Sequence, residues 1–251
     1  MVDSNREGPI LVFLGPTLLL AEAQAALDAI YLQPAAQGDI VLAAHAFRPR
    51  AMVLIDGLFE DRPAVRHKEI LWAMAQGIVV IGAASIGALR AAELSSFGMV
   101  GVGLIYRWYR RWLLTAEDAV AVQSGPAQLG FLPLTDALID LQRTFSSIMR
   151  QKIITSAERD HLVAIARQTN FRDRTLAKVL RSAGFAEDRV SKLPQEIIGQ
   201  KQIDALAALR SARDLIELRQ SNCVHHSWTA TNTFIRDLEA SHIDINLISN
   251  Y

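Results

Sequence analysis

Short apolar bursts recur along the N-terminal part of the chain, and each ends in a turn signal. Ile10 to Leu14, Ala51 to Ile55 and Ile78 to Ile81 have the length of strands, and each runs into Gly or Asp-Gly before a segment dense in Ala, Leu and Glu. Those segments are Leu18 to Ile30, Pro63 to Gln76 and Ile86 to Leu94, and Gly38-Asp39 before Ile40 to Ala46 marks a further short helix. Strands that are apolar throughout are buried on both faces. The alternation predicts an α/β fold with a Rossmann-like parallel sheet in the N-terminal part.

From Pro133 onward the pattern turns helical. Thr155-Ser156-Ala157-Glu158 is a capping-box word, Asp173 precedes Leu176, Val179 and Leu180 until Gly184 stops the run, and Ile203 to Leu218 is the longest helical candidate. The expected organisation is an α/β core over residues 1–130 and a mainly helical, partner-binding region over 131–251. Leu206, Leu209 and Ile216 form a stripe suited either to packing or to a partner.

Composition narrows the function. Lys and Arg total 26 and so do Asp and Glu, so no overall field draws the chain to nucleic acid or to an anionic membrane. The apolar run from Pro9 to Leu20 is broken by Gly15-Pro16 and falls short of the roughly 20 residues that span a bilayer. Asp3 and Glu7 oppose the positive charge of a signal peptide, and Cys223 is the only cysteine, which together predict a reducing, cytoplasmic setting. Cys223-Val224-His225-His226 lacks the convergent geometry of a closed metal site, so neither a metal nor a cofactor is expected. No G-x-G-x-x-G or P-loop follows any strand, which argues against a nucleotide binder.

The stretch VVIGAASIGALR, Val79 to Arg90, passes from a strand through small residues around one serine into a helix. Ser85 then sits on the connecting turn at the carboxyl edge of the sheet, where ligands bind in parallel α/β folds. This is the layout of a nucleophile elbow, with Ala83 at the first glycine position of G-x-S-x-G and Gly87 at the second. The alternative is a serine that merely caps a helix.

A serine nucleophile needs a base. Lys68 lies near the start of the helix after the strand ending at Asp56, so it too is expected at the carboxyl edge. Val65, Lys68, Trp72 and Ala75 share one side of that helix, and burial there would favour a neutral amine, although Ile70, Leu71 and Met74 blur the stripe. The other reading is a solvated lysine beside Glu69. His67 is the alternate base, pointing about 100° away on the helix. Gly15, Thr17, Asp56 and Gly57 follow strands as well; their N–H groups or the Thr17 hydroxyl either hold an oxyanion or close structural turns. Arg90 serves either to hold a carboxylate or a backbone carbonyl of a partner chain or to make an ion pair with a neighbouring acid.

The words VFLGPTL, IDGLFEDRPAVRHKEILWAMAQGI and VVIGAASIGALRAAELSSFGMVGVG resemble the TfuA family over roughly Ile10 to Phe145. The resemblance implies a partner of a YcaO enzyme, which uses ATP to activate a peptide amide before sulfur replaces its oxygen. It implies hydrolysis of the thiocarboxylate of a ThiS-like ubiquitin-like sulfur carrier by a Ser-Lys pair, carried over to Ser85 and to Lys68 of the HKEI word. The precursor peptide is a further candidate partner. Three positions depart from the family pattern: Arg66 stands in place of tryptophan, Ala119 in place of an acid and Ser124 in place of histidine. The competing reading is a non-catalytic adaptor that recruits peptide or carrier to YcaO.

Overall fold

Five parallel strands form one sheet in the order β2-β1-β3-β4-β5. The chain builds it as β1 (Ile10–Phe13), α1 (Leu20–Ala26), β2 (Ile30–Leu32), α2 (Asp39–Phe47), β3 (Ala51–Leu54), α3 (His67–Ala75), β4 (Val79–Ala83), α4 (Ile86–Leu94), β5 (Val100–Val102) and α5 (Gly103–Arg111). Then come α6 (Leu138–Arg150), α7 (Ser156–Gln168), α8 (Leu176–Ser182), α9 (Glu187–Val190), α10 (Gln200–Ser221) and α11 (Asn232–Ala240). The computed structural model describes residues 7–58, 62–112, 117–191, 193, 196–221, 228–248 and 251. An α/β unit with a parallel sheet followed by a helical region is the fold class read from the sequence.

The expected central strands are buried throughout β1 and β3 and over most of β4. Two strands escape the sequence pattern. The helix expected over Leu18 to Ile30 stops at Ala26, and Ile30 already opens β2. β2 and β5 are half-buried edge strands of 3 residues each, too short to show a period.

Side chains alternate between the two faces of the sheet. Leu11, Phe13, Met52, Leu54 and Val80 pack under α2, α3, α4 and α11. Val12, Val53 and Ile81 pack on the other face against Ala23 of α1, against Leu27 just past it, and against Ala205, Ala208, Leu209, Ala212 and Ile216 of α10. Helices α6, α7 and α8 enclose a third cluster around Leu141, Phe145, Leu162 and Val179. The helical stretch after residue 130 therefore divides: α6 to α9 have their own core, while α10 and α11 cover the sheet. The α10 stripe is a packing face, since Leu209 and Ile216 are fully buried and Leu206 packs beside them. Among the described residues no helix is long and apolar enough to cross a membrane.

Two contacts fix the helices that frame the carboxyl edge. At α4, a Cβ on Gly87 would collide with the Leu54 carbonyl, and one on Gly82 with the Gly87 carbonyl. Only hydrogen at both positions lets the first turn of α4 lie on β3 and β4, where the Gly87 N–H donates to the Ile55 carbonyl at 3.3 Å. At α2 and α3, the Glu69 carboxylate is 1% exposed and accepts from the N–H groups of Gly38 (2.9 Å), Ile40 (3.3 Å) and Arg66 (2.7 Å). Burial pushes Glu69 up to about 8, and those N–H donors pull the other way.

Gly87→Ala should destabilise the protein by about 1–3 kcal/mol through overpacking, seen as a lower urea midpoint with an unchanged m-value. Glu69 gives a pH signature. Its folded value lies above the ordinary 4.5, so between there and about 8 the folded state holds a proton that the unfolded chain has lost, and stability falls as pH rises through that window. In Glu69→Gln that slope should flatten by about one proton, read from urea midpoints across the window; equal slopes would show that Glu69 does not titrate there.

Candidate functional site

The turn between β4 and α4 is strained. Ser85 N–H donates to the Ala83 carbonyl at 2.7 Å and closes a three-residue turn. Its middle residue, Ala84, has φ 65°. Turns of this hand are rare, and a left-handed alanine costs roughly 1–2 kcal/mol. Ser85 itself has φ −119° and ψ −129° and makes no side-chain capping bond to α4. The capping alternative therefore fails on geometry, because the hydroxyl has no hydrogen-bond duty in its own helix.

The serine opens on a cavity of about 170 Å³ at the carboxyl edge of the sheet, lined in part by Asp56, Gly57, Ser124, Arg172 and Lys201. With the strand order 2-1-3-4-5, the switch point lies between the ends of β1 and β3, beside this cavity. The Ile86 N–H is the first of α4 and has no intrahelical acceptor. Neither it nor the Gly57 N–H donates to another backbone carbonyl among the described residues, and both residues line the cavity. Ser85 is 9% exposed, reachable yet shielded.

The far wall is the segment Val120 to Ser124, which is clamped from behind. Arg174, fully buried, donates to the Asp118 carboxylate at 2.7 Å and to the Asp118 carbonyl at 3.2 Å. Thr135 accepts from the Gln123 N–H at 2.7 Å. Ala119, standing where the resemblance gives an acid, is fully buried in the helical core, and Ser124 lines the cavity.

The sequence candidates separate. Gly57 borders the cavity with Ser85 as expected, and so does Asp56. The expected oxyanion donors at Gly15 and Thr17 are committed elsewhere: the Asp56 carboxylate accepts from Gly15 N–H (3.0 Å), Thr17 N–H (3.1 Å) and the Thr17 hydroxyl (2.6 Å). These contacts lock the ends of β1 and β3 together, which is the structural-turn alternative.

Lys68 and His67 do not line the cavity. The Lys68 ammonium points to the Thr229 carbonyl at 3.4 Å, and the Lys68 carbonyl accepts from the Trp228 indole at 3.1 Å. The reason is the level at which α3 begins. His67 meets Glu93 at 2.7 Å, and Glu93 lies eight residues beyond Ser85, a rise of roughly 12 Å along α4. Arg90 belongs to the same lower cluster, donating to the Val65 carbonyl at 3.0 Å and pairing with Glu93 at 2.7 Å. Burial alone would raise Glu93, but the His67 hydrogen bond and the Arg90 charge hold it below the usual carboxylate range. Arg66 bonds Gln37 at 2.9 Å and approaches Asp237 at 3.5 Å, so it anchors α11. Cys223, His225 and His226 lie outside the described residues.

The lysine that does line the cavity is Lys201. It is 4% exposed, and its ammonium donates to the Val120 carbonyl at 2.9 Å. The signal was present in the sequence: Lys201, Ala205, Ala208 and Ala212 recur at helical spacing. Reading the helix from Ile203 leaves that lysine just outside it.

No curated protein matches the chain. The model of the family described as TfuA-like protein matches residues 56–175, from the carboxylate latch at Asp56 through the Ser85 turn and the cavity wall to the start of α8. With the strained serine turn and the wall both inside that match, residues 56–175 form a TfuA-like segment.

Proposed function

We propose that this protein hydrolyses the thiocarboxylate at the C-terminus of a small ThiS-like sulfur carrier and supplies the sulfide to a YcaO enzyme for thioamidation of a peptide backbone. The TfuA-like family is associated with YcaO-dependent systems. The observation that carries the hydrolytic part is Ser85, a serine without a capping role on a strained turn, facing a cavity at the sheet's carboxyl edge.

The chemistry balances without a cofactor. Ser85 Oγ bonds to the thiocarboxylate carbon, the C–S bond breaks, and the proton of the hydroxyl ends on sulfur as hydrosulfide. Water then attacks the ester, its bond to Oγ breaks, and the carrier leaves as a carboxylate with release of a proton. The negative charge that develops on the carbonyl oxygen needs donors in place beforehand. The N–H groups of Ile86 and Gly57 fit that need, being the residue after the nucleophile and a turn packed beside it. A shielded serine also limits the loss of sulfide to solvent.

Ser85→Ala should lower sulfide release from a thiocarboxylated carrier by on the order of 10³–10⁶-fold with an unchanged circular dichroism spectrum. Undiminished release would remove Ser85 as nucleophile. Should the variant release no sulfide yet still support YcaO-dependent thioamidation fully, the adaptor reading replaces this one.

A further inference from the structure

Lys201 is a buried amine in the same cavity as Ser85, and it comes from α10, outside the family-matched segment. Its placement follows from the helix face. Ala205, Ala208 and Ala212 seat α10 closely on the sheet, so the residue one turn before Ala205 on that face reaches the carboxyl edge. The backbone is held as well, the Lys201 N–H donating to Asp140 Oδ1 at 3.2 Å. An ammonium has three donors, and the Val120 carbonyl takes one of them.

Resting on the hydrolase reading above, we infer that Lys201, rather than Lys68, is the catalytic amine paired with Ser85. The Lys201 nitrogen takes the hydroxyl proton as Oγ bonds to the thiocarboxylate carbon, and it gives that proton to sulfur as the C–S bond breaks. The lysine ends as it began, and no further reactant is needed. A lysine withdrawn from water is suited to both halves of that transfer, because neither of its forms is strongly held by solvent.

Charged groups pack around Lys201 on several sides. Asp140 on α6, with Asp136 behind it, faces Lys201, and burial raises Asp140 to about 6 while the Lys201 charge lowers it. Asp56 also lines the cavity, and Asp204, one turn along α10, accepts from Gln200 at 2.7 Å. Against these carboxylates stand Arg172 on the cavity lining and Arg174, which is paired with Asp118.

The test compares sulfide release by Ser85→Ala, Lys201→Arg and Lys68→Arg from a thiocarboxylated carrier. Arginine keeps the charge and a donor for Val120 but does not give up a proton in the working range. Lys201→Arg should lose on the order of 10²–10⁴-fold, the worth of a positioned acid–base group, whereas Lys68→Arg stays close to the parent. Retained activity in Lys201→Arg, or an equal loss in Lys68→Arg, overturns the assignment. If Lys201→Arg does not fold, Lys201→Cys in a Cys223→Ser background, alkylated with bromoethylamine, installs a less basic amine. Its activity should return with the acid limb of the pH–rate profile moved to lower pH; an unmoved limb overturns the proton-transfer role. Sulfide release that survives Ser85→Ala defeats the hydrolase reading and this inference with it, while an inactive Ser85→Ala beside an active Lys201→Arg defeats this inference alone.

Discussion

The contact on which the site depends is backbone against backbone, where α4 begins on β3 and β4. The first turn of α4 lies directly on the Leu54 carbonyl, an approach open only to hydrogen at Gly87, and Gly82 admits the Gly87 carbonyl in return. That closeness leaves too little chain for an ordinary strand-to-helix connection. Ala84 is forced to φ 65°, and Ser85 is left with a hydroxyl that caps nothing. Strain of this kind persists only where the surroundings over-determine it. Here the buried small residues hold the turn itself, and the latch of Asp56 onto Gly15 and Thr17 ties the ends of β1 and β3 beside it.

The sheet is incomplete without the C-terminal half of the chain. α10 covers much of one face, and its buried carboxylate Asp204 accepts from the Ile105 N–H at 2.7 Å, holding the start of α5. α11 and Tyr251 close the other face, with Tyr251 edge-on to Trp72 at 5.1 Å between ring centroids. The helical cluster of α6 to α9 is thereby tied to the sheet through α10 and through the wall at Val120. The cavity beside Ser85 forms where these three packed units meet, so its geometry reports on all of them.

What the sequence discloses follows the range of the interactions involved. The buried strands β1, β3 and β4 announce themselves locally by composition, and the Ser85 turn does so by its run of small residues. Edge strands of three residues carry no such signal. The HKEI word is legible as a motif but not as a position. The connection after β3 delivers α3 to the level of Arg90 and Glu93, where His67 hydrogen-bonds Glu93 and Glu69 caps α2, and Lys68 ends beside Thr229. Lys201 is the converse case, a residue more than a hundred positions from Ser85 whose helix register was readable although its destination required the packing of α10 on the sheet.

The charge pattern of the cavity bears on what it admits. Asp56 faces it, yet its oxygens already accept three donors, so the carboxylate is turned inward as part of the strand latch. Lys201 and Arg172 line the same space, and the first turn of α4 directs the partial positive charge of a helix N-terminus toward it. A neutral ester or amide gains little from such a field. A thiocarboxylate is an anion whose carbonyl resists attack until its charge is matched, and in a site withdrawn from water each matching charge acts more strongly than in bulk. On the proposed hydrolysis, Arg172 and the N-terminus of α4 draw the anion in and stabilise the hydrosulfide as it forms while Lys201 carries the proton, so substrate selection and the departure of sulfur fall to neighbouring groups of one cavity.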